Sequence, residues 1–138
     1  MTISYSAAVK NARLDQVEST MGTSVIMRIY NGTAPANSDA ALSGNTLLAD
    51  GTLPSDWMAA ASGGTKAKTG TWTLTGQSGA GAGTAGTFFR IFASNGTTTH
   101  MQGTFTASGG GGDCTVDNNS ISNGQSLTVS TFTLTSGN

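Results

Sequence analysis

The most constraining feature of the sequence is an Asn95-Gly96 dipeptide that separates two runs of alternating residues. The run before it, 87–94, reads TFFRIFAS, and the run after it, 97–106, reads TTTHMQGTFT. Asn-Gly is the pair best suited to a tight turn with positive φ, so the pattern predicts an antiparallel hairpin. We expect 87–94 to pair with 98–106 about a tight turn at Asn95-Gly96 and to form part of the core sheet.

The same period of two recurs along the chain after Thr23 and predicts an all-β fold. Segment 24–30, SVIMRIY, is apolar on both faces, as expected of a strand in the middle of a sandwich. Further strands are expected at 46–49, 66–75, 114–116 and 126–135, the last with a bulge near Ser130-Thr131. About seven short strands with turn signals between them favour a β-sandwich or a jelly roll.

Residues 6–21 are predicted to form the principal helix, with Ser6 as its N-cap and Gly22 as its stop. Its apolar stripe is thin and consists of Ala7, Leu14, Val17 and Met21. Such a helix needs something to pack on, either its own sheet or a neighbouring subunit, and both remain open. For the second possibility, Lys10, Arg13 and Met21 are the side chains expected to meet the partner.

The helix and the strands together predict two segments in the chain. A helical segment, 1–22, precedes a β-sandwich domain, 23–138. One or two further helical turns are expected at 53–62, with Ser55 as N-cap and with Trp57 and Met58 against the edge of the core.

The charge of the chain excludes electrostatic binding to polyanions. Only 9% of the residues are charged, and the formal net charge is -1. No positive field is therefore expected to attract nucleic acid or an anionic membrane. The first twenty residues carry no apolar run of signal-peptide length, so we expect synthesis in a cytoplasm without export by the usual N-terminal route.

Residues for catalysis are scarce, and we expect no catalytic residue, cofactor or metal site. His100 and Cys114 are the single histidine and the single cysteine, and nothing in their spacing indicates a base and a nucleophile. Gly81 to Gly86 match G-x-G-x-x-G, but a strand rather than a helix is predicted after them, so the match is interpreted as a hairpin loop. The oxygen-rich cluster Asp113, Asp117, Asn118 and Asn119 lacks the order of a calcium loop and is interpreted as a turn.

Aromatic residues permit two binding hypotheses, and both are weaker than core packing. Phe88, Phe89, Phe92 and Phe105 have only Arg90 near them, whereas a base-stacking platform needs a basic groove. Trp57 and Trp72 would be the binding residues of a carbohydrate-binding sandwich if they were exposed.

Several segments together resemble a family of small proteins encoded by tailed bacteriophages. The resemblance covers essentially the whole chain, and its most specific part is the block from Gly83 to Asp113. The supporting segments are SYSAAVKNARLDQVESTMGTS, VIMRIYNGTAPA, LSGNTLLA, LPSDWMAAASGG and ISNGQSLTVSTFTLTSGN. Members of the family are described as virion structural or hypothetical proteins, so the resemblance implies a place in a particle, without indicating which place and without a catalytic motif.

The resulting expectation is a non-enzymatic structural component of a tailed phage virion, a capsid decoration or cement protein that stabilises the head. Its expected partners are the major capsid protein, other virion proteins and copies of itself in a homo-oligomer, with no nucleic acid and no membrane. The alternatives are a tail, collar or connector protein and, in another class, a carbohydrate-binding β-sandwich module.

Overall fold

The computed structural model describes residues 2–138, and strands dominate it. Over these residues the elements are, in chain order, helix α1 (Ala7–Met21) and strands β1 (Ile26–Tyr30), β2 (Leu47–Thr52), β3 (Thr65–Ala67), β4 (Thr73–Gly76), β5 (Thr84–Ala85), β6 (Phe88–Phe92), β7 (Thr99–Ala107), β8 (Cys114–Val116), β9 (Ser120–Ile121), β10 (Ser126–Thr128) and β11 (Thr131–Thr135), with a 3-10 turn at Ser78–Ala80. The prediction of an all-β, sandwich-like domain with one short N-terminal helix is confirmed.

Nine of the strands form one curled sheet in the order β10-β4-β2-β1-β6-β7-β8-β11-β3. All neighbours in it are antiparallel except β7 and β8, which are parallel. The remaining two strands, β5 and β9, form a separate short pair. More strands occur than the seven expected, because segments 66–75 and 126–135 are each interrupted and because β5 and β9 carry no alternation long enough to detect.

The two ends of this sheet are the two halves of a single bent ribbon. Strands β3 and β4 both come from 65–76, and β10 and β11 both come from 126–135, and these segments pair antiparallel on each side of the bend. Between the paired halves, Lys68 N donates to Phe132 O and Val129 N donates to Trp72 O, each at 3.0 Å. The ribbon thus joins the first and last strands of the order, and the sheet curls back on itself around the core.

The interruption predicted near Ser130-Thr131 is confirmed as the break between β10 and β11. It changes which side chains face inward: Leu127 and Val129 before the break and Phe132 after it all lie in the main core. Without an irregularity, strict alternation would place Phe132 on the opposite face from Val129.

Strand β1 is buried on both faces, as its sequence predicts. Met27 and Ile29 belong to the main core, whereas Tyr30 packs with Phe88 and Phe92 in a second cluster on the outer face. The loop 31–45 lies over this outer face, so that every residue of β6 is buried.

The predicted hairpin is confirmed as β6 and β7, which pair antiparallel from Phe88–Thr104 to Phe92–Thr99. Its turn differs from the tight turn expected. Ala93 N donates to Thr98 O at 2.9 Å, which leaves a four-residue loop, and only Gly96 takes a positive φ, of 70°. The Asn95 carboxamide oxygen instead accepts from the N–H groups of Thr97 and Thr98, a local bonding pattern that stabilises the longer loop.

The prediction of helical turns at 53–62 is wrong. The segment is extended: Ala59 N donates to Ala67 O, Thr69 N donates to Trp57 O, and Ser62 pairs with Thr65. The backbone of 65–69 offers these groups non-local partners, and this tertiary pairing outweighs the helical propensity of the Ala-rich run. Trp57 and Met58 are nevertheless buried, as expected of the core edge.

Helix α1 begins and ends where the sequence predicts. Ser6 is the N-cap, its hydroxyl accepting from Val9 N, and Gly22 N donates to Glu18 O at the other end. Leu14 and Met21 are buried in the same chain and Val17 packs against the core, but Ala7 is exposed. Met21 therefore does not serve as an exposed anchor for a partner. No helix in residues 2–138 has both the length and the hydropathy required to cross a bilayer.

Candidate functional site

His100 and Cys114 lie far apart in the structure. Cys114 pairs in register with Phe105 of β7, and His100 lies five residues earlier on that strand. At about 3.3 Å per residue the separation is roughly 16 Å, far beyond hydrogen-bond reach. Burial, together with the negative charge of Asp113, raises the pKa of the Cys114 thiol to about 12. The thiol is therefore protonated at neutral pH and is a poor nucleophile.

The oxygen-rich cluster at 113–119 is only in part the turn that was expected, because Asn118 bonds locally whereas Asp113 and Asn119 bond to distant residues. Asp113 Oδ2 accepts from both the N–H and the hydroxyl of Thr104, at 2.8 and 2.7 Å. Asn118 Oδ1 accepts from Ser120 N, and Asn119 Nδ2 donates to Gly86 O. Within residues 2–138, no group of three or more acidic, histidine or cysteine side chains is arranged to hold a metal ion.

The glycine-rich match at 81–86 is not a nucleotide-binding turn. A 3-10 turn precedes it, β5 lies within it and β6 follows it, so no helix N-terminus is available for a pyrophosphate. Gly83 packs against Ser120 of β9, and the absence of a side chain at Gly83 lets β5 approach β9 closely. The segment is not the hairpin loop that was expected, because β5 pairs with β9 and the flanking strands β4 and β6 do not pair with each other.

The aromatic residues considered for ligand binding are buried. Trp57 and Trp72 are fully buried, and their indole N–H groups donate to Gly22 O and Thr69 O. The four phenylalanines considered as a stacking platform are at most 5% exposed. These rings stabilise the two hydrophobic clusters and present no face to a sugar or a base.

A cavity of about 420 Å³ lies between the loop 31–45 and the tip of the hairpin, with Arg90 in its wall. The Arg90 guanidinium is committed to the protein: Nε donates to Gln102 Oε1, and Nη2 donates to the carbonyl oxygens of Asn37 and Ala40. Arg90 therefore holds the loop onto the sheet.

Polar side chains attach helix α1 to the sheet, a feature that the sequence analysis missed. Lys66 is 2% exposed, and its ammonium lies 2.7 Å from Asp15 Oδ1 and 2.8 Å from Glu18 Oε2. Asn11 Oδ1 accepts from Gly64 N, and Asp15 Oδ1 also accepts from Ala61 N. The spacing of residues 11, 15 and 18 places them on one helix face, and that spacing is the signal that could have revealed them.

These contacts shift two pKa values in opposite directions. Hydrogen bonds from Lys66 and from Ala61 N–H lower the pKa of the Asp15 carboxyl. Burial opposes the charge of Lys66, but the hydrogen bonds to Asp15 and Glu18 outweigh it and raise the pKa of the ammonium. The ion pair is therefore fully charged at neutral pH and fixes the helix to β3 of its own chain.

The large exposed apolar residues concentrate at the beginning of the described chain. Ile3 is 74% exposed, Tyr5 42% and Val9 43%, and we name these three residues the N-terminal surface. Leu42, at 37%, is the other large exposed apolar residue in 2–138. Tyr5 has the Arg13 guanidinium 5.2 Å from its ring centroid, a contact that leaves much of the ring in water. Exposed apolar groups of this kind favour contacts with other proteins.

The outer face of the bent ribbon is uncharged. Its exposed side chains are mostly threonines, including Thr73 and Thr75 on β4 and Thr131, Thr133 and Thr135 on β11. Hydroxyl groups cost less free energy to desolvate than ionised groups do. A surface of this composition therefore costs little free energy to desolvate.

No protein-family model, curated protein or solved structure matches the chain.

Proposed function

We propose that this protein is a non-enzymatic structural component of a tailed phage virion, a decoration or cement protein on the outside of the capsid. The resemblance of the sequence to small tailed-phage proteins supports the virion, and the arrangement of the surface supports a structural role. The partners proposed are the major capsid protein, other virion proteins and further copies of this chain.

The observation that carries the proposal is the N-terminal surface. Apart from Leu42, the other large apolar side chains in the described residues are buried or half-buried, whereas Ile3, Tyr5 and Val9 remain in water. Burying one such side chain fully at an interface gains about 1.5–3 kcal/mol. A copy attached through this surface would therefore gain binding free energy with little charge to desolvate, which suits a protein bound in many copies on a lattice.

A tail, collar or connector position is the alternative within the same class, because the same surface would serve there. The carbohydrate-binding alternative loses its candidate residues, since Trp57 and Trp72 are both buried. The head is preferred because the domain is small and sandwich-like with one exposed attachment segment.

Density-gradient sedimentation of purified particles tests this proposal. The protein is expected to sediment with the heads and to be released by mild denaturant that leaves the heads intact. Val9→Ser should reduce its amount per particle, whereas Leu42→Ser, which removes a comparably exposed apolar side chain elsewhere, should not. Sedimentation with tails would favour the alternative position, and recovery only in the soluble host fraction would contradict a virion role.

A further inference from the structure

The curled sheet contains a gap beside the short strand β8. β8 pairs with β7 only at Phe105–Ala107, and it pairs with β11 only at Thr131 and Phe132. Beyond Cys114 no strand lies between 99–104 of β7 and 133–135 of β11, although both stretches remain paired on their other sides. We name this gap the slot.

The slot has an apolar floor, with threonine hydroxyl groups on the β11 side and Gln102 and the Asp113 carboxylate on the β7 side. It encloses a cavity of about 380 Å³ between Met101 of β7 and Leu134 of β11, both half-buried. The rings of Phe89 and Phe132 also line this cavity, edge to face with centroids 5.6 Å apart. Thr133, on the β11 side, is exposed. An apolar side chain entering the slot would find apolar partners on both sides.

The backbone of β7 presents hydrogen-bonding groups to the slot. Phe105 N donates to Thr87 O, so by antiparallel alternation Gly103 and Met101 also bond to β6. The peptide groups of Thr104 and Gln102 therefore point to the other side. The Asp113 carboxylate accepts a hydrogen bond from the N–H of Thr104. The backbone N–H and C=O of Gln102 lie next along the edge. An exposed strand edge of this kind is a template for an added strand.

A segment of the same chain has the pattern that this slot requires. Residues 2–6, which we name the arm, read Thr-Ile-Ser-Tyr-Ser, with Ile3 and Tyr5 on one face and small hydroxyl residues on the other. In strand conformation the arm would be about 17 Å long, and the 99–104 edge about 20 Å. The arm lies outside its own slot, with Ile3 74% exposed and Tyr5 against Arg13.

We propose that the arm of one copy inserts into the slot of a second copy as an added β-strand. Its backbone pairs with the Gln102 edge of β7, and Ile3 and Tyr5 cover the floor formed by Phe89 and Phe132. Arm and slot are different parts of the surface, so copies assemble either by reciprocal exchange of arms in a two-fold dimer or head-to-tail in a ring or an open chain. The inference concerns the protein by itself and does not depend on the proposed virion role.

The proposal is tested by sedimentation of the purified protein at increasing concentration. Two variants each place a negative charge on one face of the arm. The wild type should associate, and Ile3→Asp should weaken the dissociation constant about ten- to a hundredfold, because it removes one buried apolar side chain. Ser4→Asp is the control, since it adds the same charge to the opposite face of the arm, and it should weaken association far less. At a concentration low enough for the wild type to be monomeric, both variants should keep its melting temperature. A wild type that stays monomeric, or equal loss in both variants, overturns the proposal.

Cysteine cross-linking distinguishes a second copy from the same chain. A Ser4→Cys protein mixed with a Thr133→Cys protein should form a disulfide-linked heterodimer, whereas Ser4→Cys mixed with Thr73→Cys, on the exposed face of β4, should not. Native Cys114 is buried and does not interfere. If the Ser4→Cys/Thr133→Cys double variant forms only an internal link and the mixed single variants form none, the arm occupies its own slot. That result overturns insertion into a second copy. Equal cross-linking to Thr73→Cys overturns the assigned slot.

Discussion

Replacing Gly96 with valine perturbs the hairpin turn at the one loop position that has a positive φ, of 70°. A β-branched residue in this left-handed region costs about 1–2 kcal/mol. The new Cβ would also lie 3.3 Å from Arg28 Nη2, while Arg28 Nη1 donates to Gly96 O at 2.9 Å. Weakening that hydrogen bond adds about 1 kcal/mol. The free energy of unfolding should therefore fall by about 2–3 kcal/mol, which lowers the melting temperature by roughly 6–12 °C.

Thermal unfolding followed by circular dichroism measures this difference. Gly96→Asn introduces the same Cβ but tolerates a positive φ, so it should lose less stability than Gly96→Val. Gly137→Val is the second control, because a Cβ there has open space and no positive φ, and it should match the wild type. A wild-type melting temperature for Gly96→Val would refute the account of the turn.

Three further predictions concern the helix attachment and the core. Lys66→Ala removes two ionic hydrogen bonds, but Asp15 and Glu18 are 49% and 22% exposed to water, so the fold should lose about 1–2 kcal/mol. Lys68→Ala should have a small effect, and urea unfolding compares the two variants. The folded state lowers the pKa of Asp15, so ionised Asp15 stabilises the fold. This stabilisation is complete above the ordinary pKa of 3.8 and is lost as the pH falls through the lower, folded-state pKa. Asp15→Asn should therefore show a smaller fall in melting temperature on acidification than the wild type, and equal falls would contradict this. The Cys114 thiol should react with a thiol reagent only after denaturation, and rapid labelling of the native protein would contradict its burial.

The sequence predicts elements well where the signal is local. The Asn95-Gly96 turn separates two alternating runs, so the pairing of β6 with β7 needs no information from elsewhere in the chain. The bounds of α1 are also predictable, since Ser6 caps backbone N–H groups directly and Gly22 adopts a positive φ at the end of the helix. In both cases the interacting groups lie within a few residues of one another.

The features that were missed depend on distant partners. Segment 53–62 is extended because the backbone of 65–69 bonds to it, and the bent ribbon unites two segments about sixty residues apart. The attachment of Asp15 to Lys66 joins residues 51 positions apart, and no local pattern names the sheet residue that a helix side chain will meet. The same holds for the slot, which exists only because β8 is shorter than the strands on each side of it.

The proposed function is tested most directly by electron microscopy of two samples of particles. The first sample carries this protein, and the second comes from a phage whose gene for the protein is deleted. The account predicts regularly spaced density on the outside of the capsid that is present in the first sample and absent from the second. Heads and tails that are identical in the two samples would contradict the proposal that this chain is a structural component of the virion.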